Sequence, residues 1–327
     1  MTFSAENIKK VELHVHLDTC LSFHYIKQIY PGITKDDFNT LFIAPTKCGD
    51  LGHFLHKIAP QIEILQTRTA IALAVDDLFK QLAADNVIYV EIRFAPLLHL
   101  EMGLRSEEVV ETVIAAMQRA SLRYNIDANL LLCTLRHFSR ERSEQTANLV
   151  LDFLGRGVAG LDLAADEARF SLDNHIHAFQ KVREAGGGVI AHAGEACGAE
   201  SIDETLTRLQ VSRIGHGVRC IEDPQVIERL RDENILLEIC PSCNVVCNVF
   251  DTLESHPIND LKALGIRLNV NTDARTVANT TLNNEYRLLH DTFDWTEADF
   301  YRCNEHALEA SFIDHQTRQR LIRRLTA

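Results

Sequence analysis

Short β-rich apolar runs alternate with longer stretches of helical periodicity through most of this chain. The runs are Val11–Leu17, Val87–Pro96, Asn129–His137, Gly157–Ala164, Gly187–Glu195, Arg213–Val218, Ile235–Asn244 and Ile266–Ala274. Helical patterns lie between them, such as Ser106–Tyr124 with Ser106 as N-cap, and Asp223–Glu233 with Pro224 in its first turn. Strand then helix, eight times over roughly 260 residues, predicts an α/β chain folded as a single (β/α)8 TIM-type barrel, with 1–327 as one domain. A doubly wound open sheet is the rival, but no G-x-G-x-x-G follows the first run.

One connection is far longer than the rest. Residues 19–85, between the first and second runs, contain helical segments and a stretch punctuated by Pro31, Gly32, Pro45, Gly49 and Gly52. Following strand one, this insertion emerges at the C-terminal face of a barrel, where active sites form, so it is expected to be a helical lid. Phe54, Leu55 and Ile58 are its candidate substrate-facing residues.

The last residues of each strand point into that same mouth. Alternation puts His14, His16 and Asp18 on one face of strand one. Strand five ends at His192 and Glu195, strand six carries His216 between Gly215 and Gly217, and strand eight ends at Asp273. Three histidine-bearing strand ends and a carboxylate on one rim are what a mononuclear zinc site requires. An H-x-H pair alone is weak: His175-Ile176-His177 is a second one, read as solvated helical surface.

Charge and cysteine content narrow the setting. Against 33 Lys and Arg stand 46 Asp and Glu, a formal net charge of −13. A surface that acidic repels phosphate, so neither nucleic acid nor an anionic membrane is an expected partner. No run of about 18 apolar residues and no signal-peptide core in Met1–Lys10 is found. The nine cysteines, odd in number and scattered, fit reduced thiols and a cytoplasmic location. Oligomeric state is not readable from these features.

Five motifs carry a resemblance that covers residues 8 to 320. Val-Glu-Leu-His-Val-His-Leu-Asp at 11–18, Gly-Leu-Asp-Leu-Ala at 160–164, His-Ala-Gly-Glu at 192–195, Arg-Ile-Gly-His-Gly at 213–217 and Asn-Thr-Asp at 271–273 resemble the adenosine deaminase family of the amidohydrolase superfamily. The resemblance implies a zinc-dependent aminohydrolase of purine metabolism. It acts on a small-molecule purine nucleoside, adenosine or 2′-deoxyadenosine, with one zinc ion per chain. His14, His16, His192 and Asp273 are the implied metal ligands, with a remaining position for a water whose pKa the ion lowers. Glu195 is the implied acid toward purine N1, and His216 takes or orients the proton of the water. His16 and Asp18 lie near the ribose, with Asp18 accepting from the 5′-hydroxyl, and the Ala165 N–H lies near purine N3.

The chain departs from many of its relatives at three places. Thr19-Cys20 follows the His-Leu-Asp where glycine is common, which leaves open a 5′-modified substrate such as 5′-methylthioadenosine or 6-aminodeoxyfutalosine. Ala165 stands where glycine is usual. Ala274 replaces an aspartate that serves purine N7 in many members, so Arg275 or a water is expected to take that contact.

Other readings fit less well. A cytidine-deaminase-type site needs H-x-E and P-C-x-x-C, but His99-Leu100-Glu101 is far from Cys240-Pro241-Ser242-Cys243, whose proline lies inside the pair. Cys240, Cys243 and Cys247 are one ligand short of a closed structural site and are read as small rim residues. Strand four has no lysine to bridge two metals. A non-catalytic purine-binding relative would ordinarily have lost a ligand or the acid, and none is missing here.

Overall fold

Eight parallel strands follow one another around a barrel in the computed structural model, which describes residues 3–326. They are β1 (Lys10–His16), β2 (Val87–Phe94), β3 (Asp127–Leu135), β4 (Val158–Ala164), β5 (Gly188–Ala193), β6 (Arg213–His216), β7 (Leu236–Ile239) and β8 (Leu268–Val270). Each pairs with the next in chain order. The seam between last and first is made just past β8, where Asp273 N donates to His14 O (2.9 Å) and His16 N donates to Asp273 O (3.0 Å).

Strand periodicity divides the side chains of β1 between two environments. Val11 and Leu13 join an apolar cluster with Ala307, Leu308 and Leu321 of the C-terminal helices, while Val15 enters the main core. The alternate residues Glu12, His14 and His16 make polar contacts across the barrel with β5, β7 and the segment after β8. Barrel interiors are commonly filled with branched apolar side chains. Here the interior holds a fully buried ionic layer instead. Arg93 Nη1 lies 3.1 Å from Asp162 Oδ2, and its Nη2 lies 2.6 Å from Glu238 Oε2. Arg213 Nη2 pairs with Glu91 Oε2 at 2.5 Å, and its Nε lies 3.1 Å from Glu238 Oε1. Removing one partner from such a layer strands a buried charge, at a cost of about 3–5 kcal/mol.

The segment between β1 and β2 contains helices at Phe23–Ile29, Lys35–Phe42, Leu51–Leu55, Ala59–Ile64 and Arg68–Ala84. After β8, helices at Leu282–Phe293, Glu297–Ala310 and His315–Thr326 complete the described chain. Of the expected 1–327 unit, Met1, Thr2 and Ala327 lie outside the described residues. Among the described residues no helix is long and apolar enough to cross a membrane.

Several expectations are corrected. Most strands stop short of the predicted runs, with β2 ending at Phe94, β7 at Ile239 and β8 at Val270. Ser106 is the first residue of its helix rather than the cap; the preceding Arg105 N–H is satisfied by the Glu108 carboxylate at 2.9 Å. His175 is not solvated surface. It is fully buried, with Nδ1 3.0 Å from Ser143 Oγ and Nε2 3.2 Å from Arg136 O, and only His177 reaches solvent.

Burial lowers the His175 pKa from 6.5 to about 4. Between these two values the unfolded chain binds the extra proton, so this contribution to stability is complete above pH 6.5 and is lost as pH falls toward 4. One pKa unit is worth about 1.4 kcal/mol, so the loss reaches about 2 kcal/mol by pH 5. Urea unfolding at pH 7 and pH 5 is expected to show a smaller acid loss in His175→Gln than in the parent by about this amount. An identical acid loss in both would refute the assignment.

Candidate active site

Side chains from three separate strand ends converge at the C-terminal mouth. His14 and His16 stand on β1, His192 on β5, and Asp273 just past β8, and one ligand atom of each lies within 4.8 Å of the others. His16 Nε2 is 3.3 Å from His192 Nε2, and Asp273 Oδ1 is 3.4 Å from His14 Nε2 and 3.3 Å from His16 Nε2. Two nitrogens bound at 2.0–2.1 Å in a tetrahedron stand about 3.3–3.4 Å apart, so this spacing suits a zinc-sized ion. His14 Nε2 is moreover buried with no hydrogen-bond partner, which is how a ligand nitrogen stands before it meets its ion.

Protonation states agree with that use. Burial, then the Arg93 charge and His192, push His14 well below its ordinary value, and burial takes His16 down to about 4. Both imidazoles therefore keep a free lone pair. Burial alone would raise the Asp273 carboxyl, but the close approach of His14 and of the surrounding imidazoles holds it well below the usual carboxylate range.

The far nitrogens of the histidines are tied to the ionic layer beneath. His14 Nδ1 donates to Glu238 Oε2 (3.0 Å), and His192 Nδ1 lies 3.2 Å from Asp162 Oδ1 and 3.0 Å from Leu163 O. These contacts fix ring orientation and tautomer. The His14 ring lies across Gly215, where a Cβ would come within 2.9 Å of His14 Cε1, so the small residue before His216 makes room for it.

Beside the cluster, His216 Nε2 is 3.6 Å from Glu195 Oε2. Asn244 bridges the two, with Nδ2 3.1 Å from His216 Nδ1 and 3.4 Å from Glu195 Oε1. Burial, then the charges of Asp273 and Glu167, raise the Glu195 carboxyl well above its ordinary value. Burial lowers His216 to about 3. The pair is thus a neutral acid facing a neutral base. Glu167 sets the backbone here, accepting from the N–H groups of Gly194 (3.0 Å), Glu195 (2.7 Å) and Cys197 (2.9 Å).

His16, His192, Glu195, His216 and Asp273 line one small chamber, roofed by Leu51, Phe54, Leu55 and Ile58 of the segment after β1. A second cavity of about 470 Å³ shares His16, Thr19, Leu55, Ile58, Ala164 and Ala165 with it, and adds Asp18. Asp18 does not continue the strand face of His14 and His16 as expected. β1 ends at His16, and the 3-10 turn Leu17–Thr19 carries Asp18 toward Ala95 N (3.4 Å) and His99 Nε2 (3.6 Å). Arg275 is also corrected: its guanidinium is buried against Asp85 and Glu12, so it does not reach the chamber.

Ala165, His216 and Asp273 all have left-handed backbones, with φ of 77°, 62° and 59°. Such conformations cost about 1–3 kcal/mol in non-glycine residues and collect at functional sites. Sequence reasoning assigned no role to Asp162, Glu167, Glu238 or Asn244. The available signal was a charged residue inside an apolar run, as in Leu-Leu-Glu-Ile at 236–239.

A sequence model of the family described as "Adenosine deaminase" matches residues 9–327. An adenosine deaminase of Clostridium botulinum is 32% identical over 321 residues, covering 96% of each chain. The structure of an adenine deaminase from Arthrobacter aurescens superposes with a TM-score of 0.89 at 25% identity, over 97% of this chain and 98% of that one. An amidohydrolase from Burkholderia ambifaria, solved with bound Zn, also reaches a TM-score of 0.89, at 19% identity and over 100% and 93% of the two chains.

The link from Glu238 to His14 yields a test. Glu238→Gln keeps the shape but removes the charge that holds the imidazole, and loss of such a partner costs about 10–100-fold in metal affinity. Chelator competition should show that drop. Unchanged affinity would exclude a role for Glu238 in presenting the ligand.

Proposed function

The chain belongs to the adenosine deaminase family, and from that premise we propose that it hydrolyses an adenine nucleoside, adenosine first, to the 6-oxo purine nucleoside and ammonia. The observation that carries this reading is the meeting of the four-residue cluster, three members of which line the chamber, with a carboxyl and an imidazole whose burial favours their neutral forms. His14, His16, His192 and Asp273 would hold one zinc ion per chain. When bound, that ion supplies the Lewis acidity that makes water a nucleophile near neutral pH.

The chain's own residues do the rest. Glu195 enters protonated and gives its proton to purine N1, which breaks the aromaticity of the ring and opens C6 to attack. His216, held at Nδ1 by Asn244, turns Nε2 toward the chamber and takes or orients the proton of the attacking water. C6 gains oxygen and loses ammonia. Asp18, in the adjoining cavity with His16, accepts from the ribose 5′-hydroxyl, and Ala165 offers its N–H to N3. With Ala274 apolar and Arg275 engaged elsewhere, N7 is left to water. The helices Leu51–Leu55 and Ala59–Ile64 act as the lid, part of the 19–85 insertion, and exclude bulk solvent from the chamber. Nine free cysteines suit a reducing, cytoplasmic setting.

A second reading is favoured by one observation. The cavity next to Asp18 is walled by Ile62, Leu98, Leu135 and Phe170, which would welcome an uncharged 5′-substituent such as a methylthio group. Both substrates share the same chemistry at C6.

Glu195→Gln should lower kcat at least 100-fold while zinc content stays at the parent level, since general-acid catalysis contributes about 10²–10⁴-fold. Turnover near the parent rate would remove the acid from this mechanism. A panel of adenine nucleosides tests the sugar end. Asp18→Ala should lower kcat/KM for adenosine about 10–100-fold and leave a 5′-deoxy analogue little changed, because a hydrogen bond to a charged group is worth about 1.5–3 kcal/mol. Equal losses on both would place Asp18 away from the 5′-hydroxyl.

A further inference from the structure

Asp273 faces the imidazole cluster with one carboxylate oxygen and Cys243 with the other. Its Oδ1 is the oxygen near His14 and His16, while its Oδ2 accepts from Cys243 Sγ at 2.8 Å. Cys243 lies on the short helix Pro241–Val246 after β7, and Cys247 is the residue that ends it. Their sulfurs are 3.8 Å apart, and ligand atoms of Glu195, Cys243 and Cys247 all lie within 4.8 Å of one another.

We propose that Glu195, Cys243 and Cys247 form a second, inhibitory site for a thiophilic divalent cation of the Zn²⁺ or Cd²⁺ class. Two thiolates bound tetrahedrally at about 2.3 Å stand about 3.8 Å apart, so the sulfurs are already spaced for an ion. A disulfide would need them at about 2.05 Å. The carboxylate of Glu195 is the third ligand, and one tetrahedral position is left open. All three residues are nearly inaccessible to solvent, as a site with high affinity requires. Glu195 and Cys247 also line a cavity of about 370 Å³ with Gly49, Asp50, Arg219 and Glu222. Cys247 lines that cavity and not the one holding Asp18, although the two cavities share Gly52, Asp166 and Arg169, so an ion can approach the thiol from there.

Binding exchanges protons for the dication: each thiol, and Glu195 where protonated, releases its proton to solvent, and no electron is transferred. The consequence for turnover rests on the role of Glu195 proposed above. A carboxylate engaged by a cation has no proton to give N1, so occupancy of this site stops deamination while the resident zinc stays in place.

Cadmium ion added to the zinc-loaded enzyme is the probe. The expected result is one Cd²⁺ bound per chain with zinc retained, a thiolate-to-cadmium charge-transfer band in the ultraviolet, and loss of activity that a chelator reverses. Cys247→Ala should abolish the band and raise the Cd²⁺ concentration for half-inhibition at least tenfold, with turnover in the absence of Cd²⁺ unchanged. Cys247→Ser, closer in size and polarity, should also lose the band should alanine disturb the helix end. A band of equal strength in both variants, or Cd²⁺ uptake matched by zinc release, would overturn the site. A Cys247-dependent band with activity undiminished would establish the cation site and refute Glu195 as the acid, so the two failures are told apart.

Discussion

Glu238 is the residue through which the barrel interior and its mouth are joined. One oxygen lies close to both Arg93 and His14, and the other faces Arg213. All four side chains are fully buried, so none of these charges can turn to water. A buried ion pair is poor value as a source of stability, since desolvation consumes most of its attraction. Its use here is positional. The arginines hold the carboxylates, and the carboxylates hold the imidazoles of His14 and His192 in one orientation. A layer of leucine and valine would pack as densely but could not reach up to a ring nitrogen.

Above that layer the backbone itself departs from regularity. Ala165, His216 and Asp273 each take left-handed conformations at the point where a strand gives way to a loop. The other non-glycine residues with positive φ are Asn86, Asn125, Gln210, Asn234, Asn248, Asn279 and Asp294, mostly of the short polar kind that tolerates it. Alanine has no such excuse of chemistry. The strain at Ala165, His216 and Asp273 is borne by the surrounding ladder, and it turns their groups into the chamber instead of along the strand.

Much of this was legible in the chain. Eight apolar runs separated by helical periodicity give the barrel, because parallel strands buried on both faces must read that way. His14, His16, His192 and Asp273 are visible because their types are rare in apolar runs and all fall at one end of them. The overlong strand predictions trace to burial, for Ala95 and Pro96 after Phe94 and Cys240 and Pro241 after Ile239 are buried and apolar without continuing a strand. The partners that orient the ligands were hidden, because the facing of Glu238 to His14 or Asn244 to His216 depends on barrel curvature, which no local pattern records. His175 failed for the opposite reason: its neighbours in sequence are polar, but Ser143 and Arg136, which enclose it, come from other elements. Arg275 looked free only because Asp85 and Glu12, its acidic partners, lie so far back in the chain.

The seam at Asp273 ties assembly of the site to closure of the barrel. A nascent polypeptide that has emerged only as far as β7 already carries all three imidazoles, yet it lacks both Asp273 and the backbone bonds that bring the first strand round to the last. Contacts between positions so distant in sequence form late, since loop-closure entropy must be overcome before they are rewarded. His14, His16, His192 and Asp273 therefore meet only in the event that shuts the barrel.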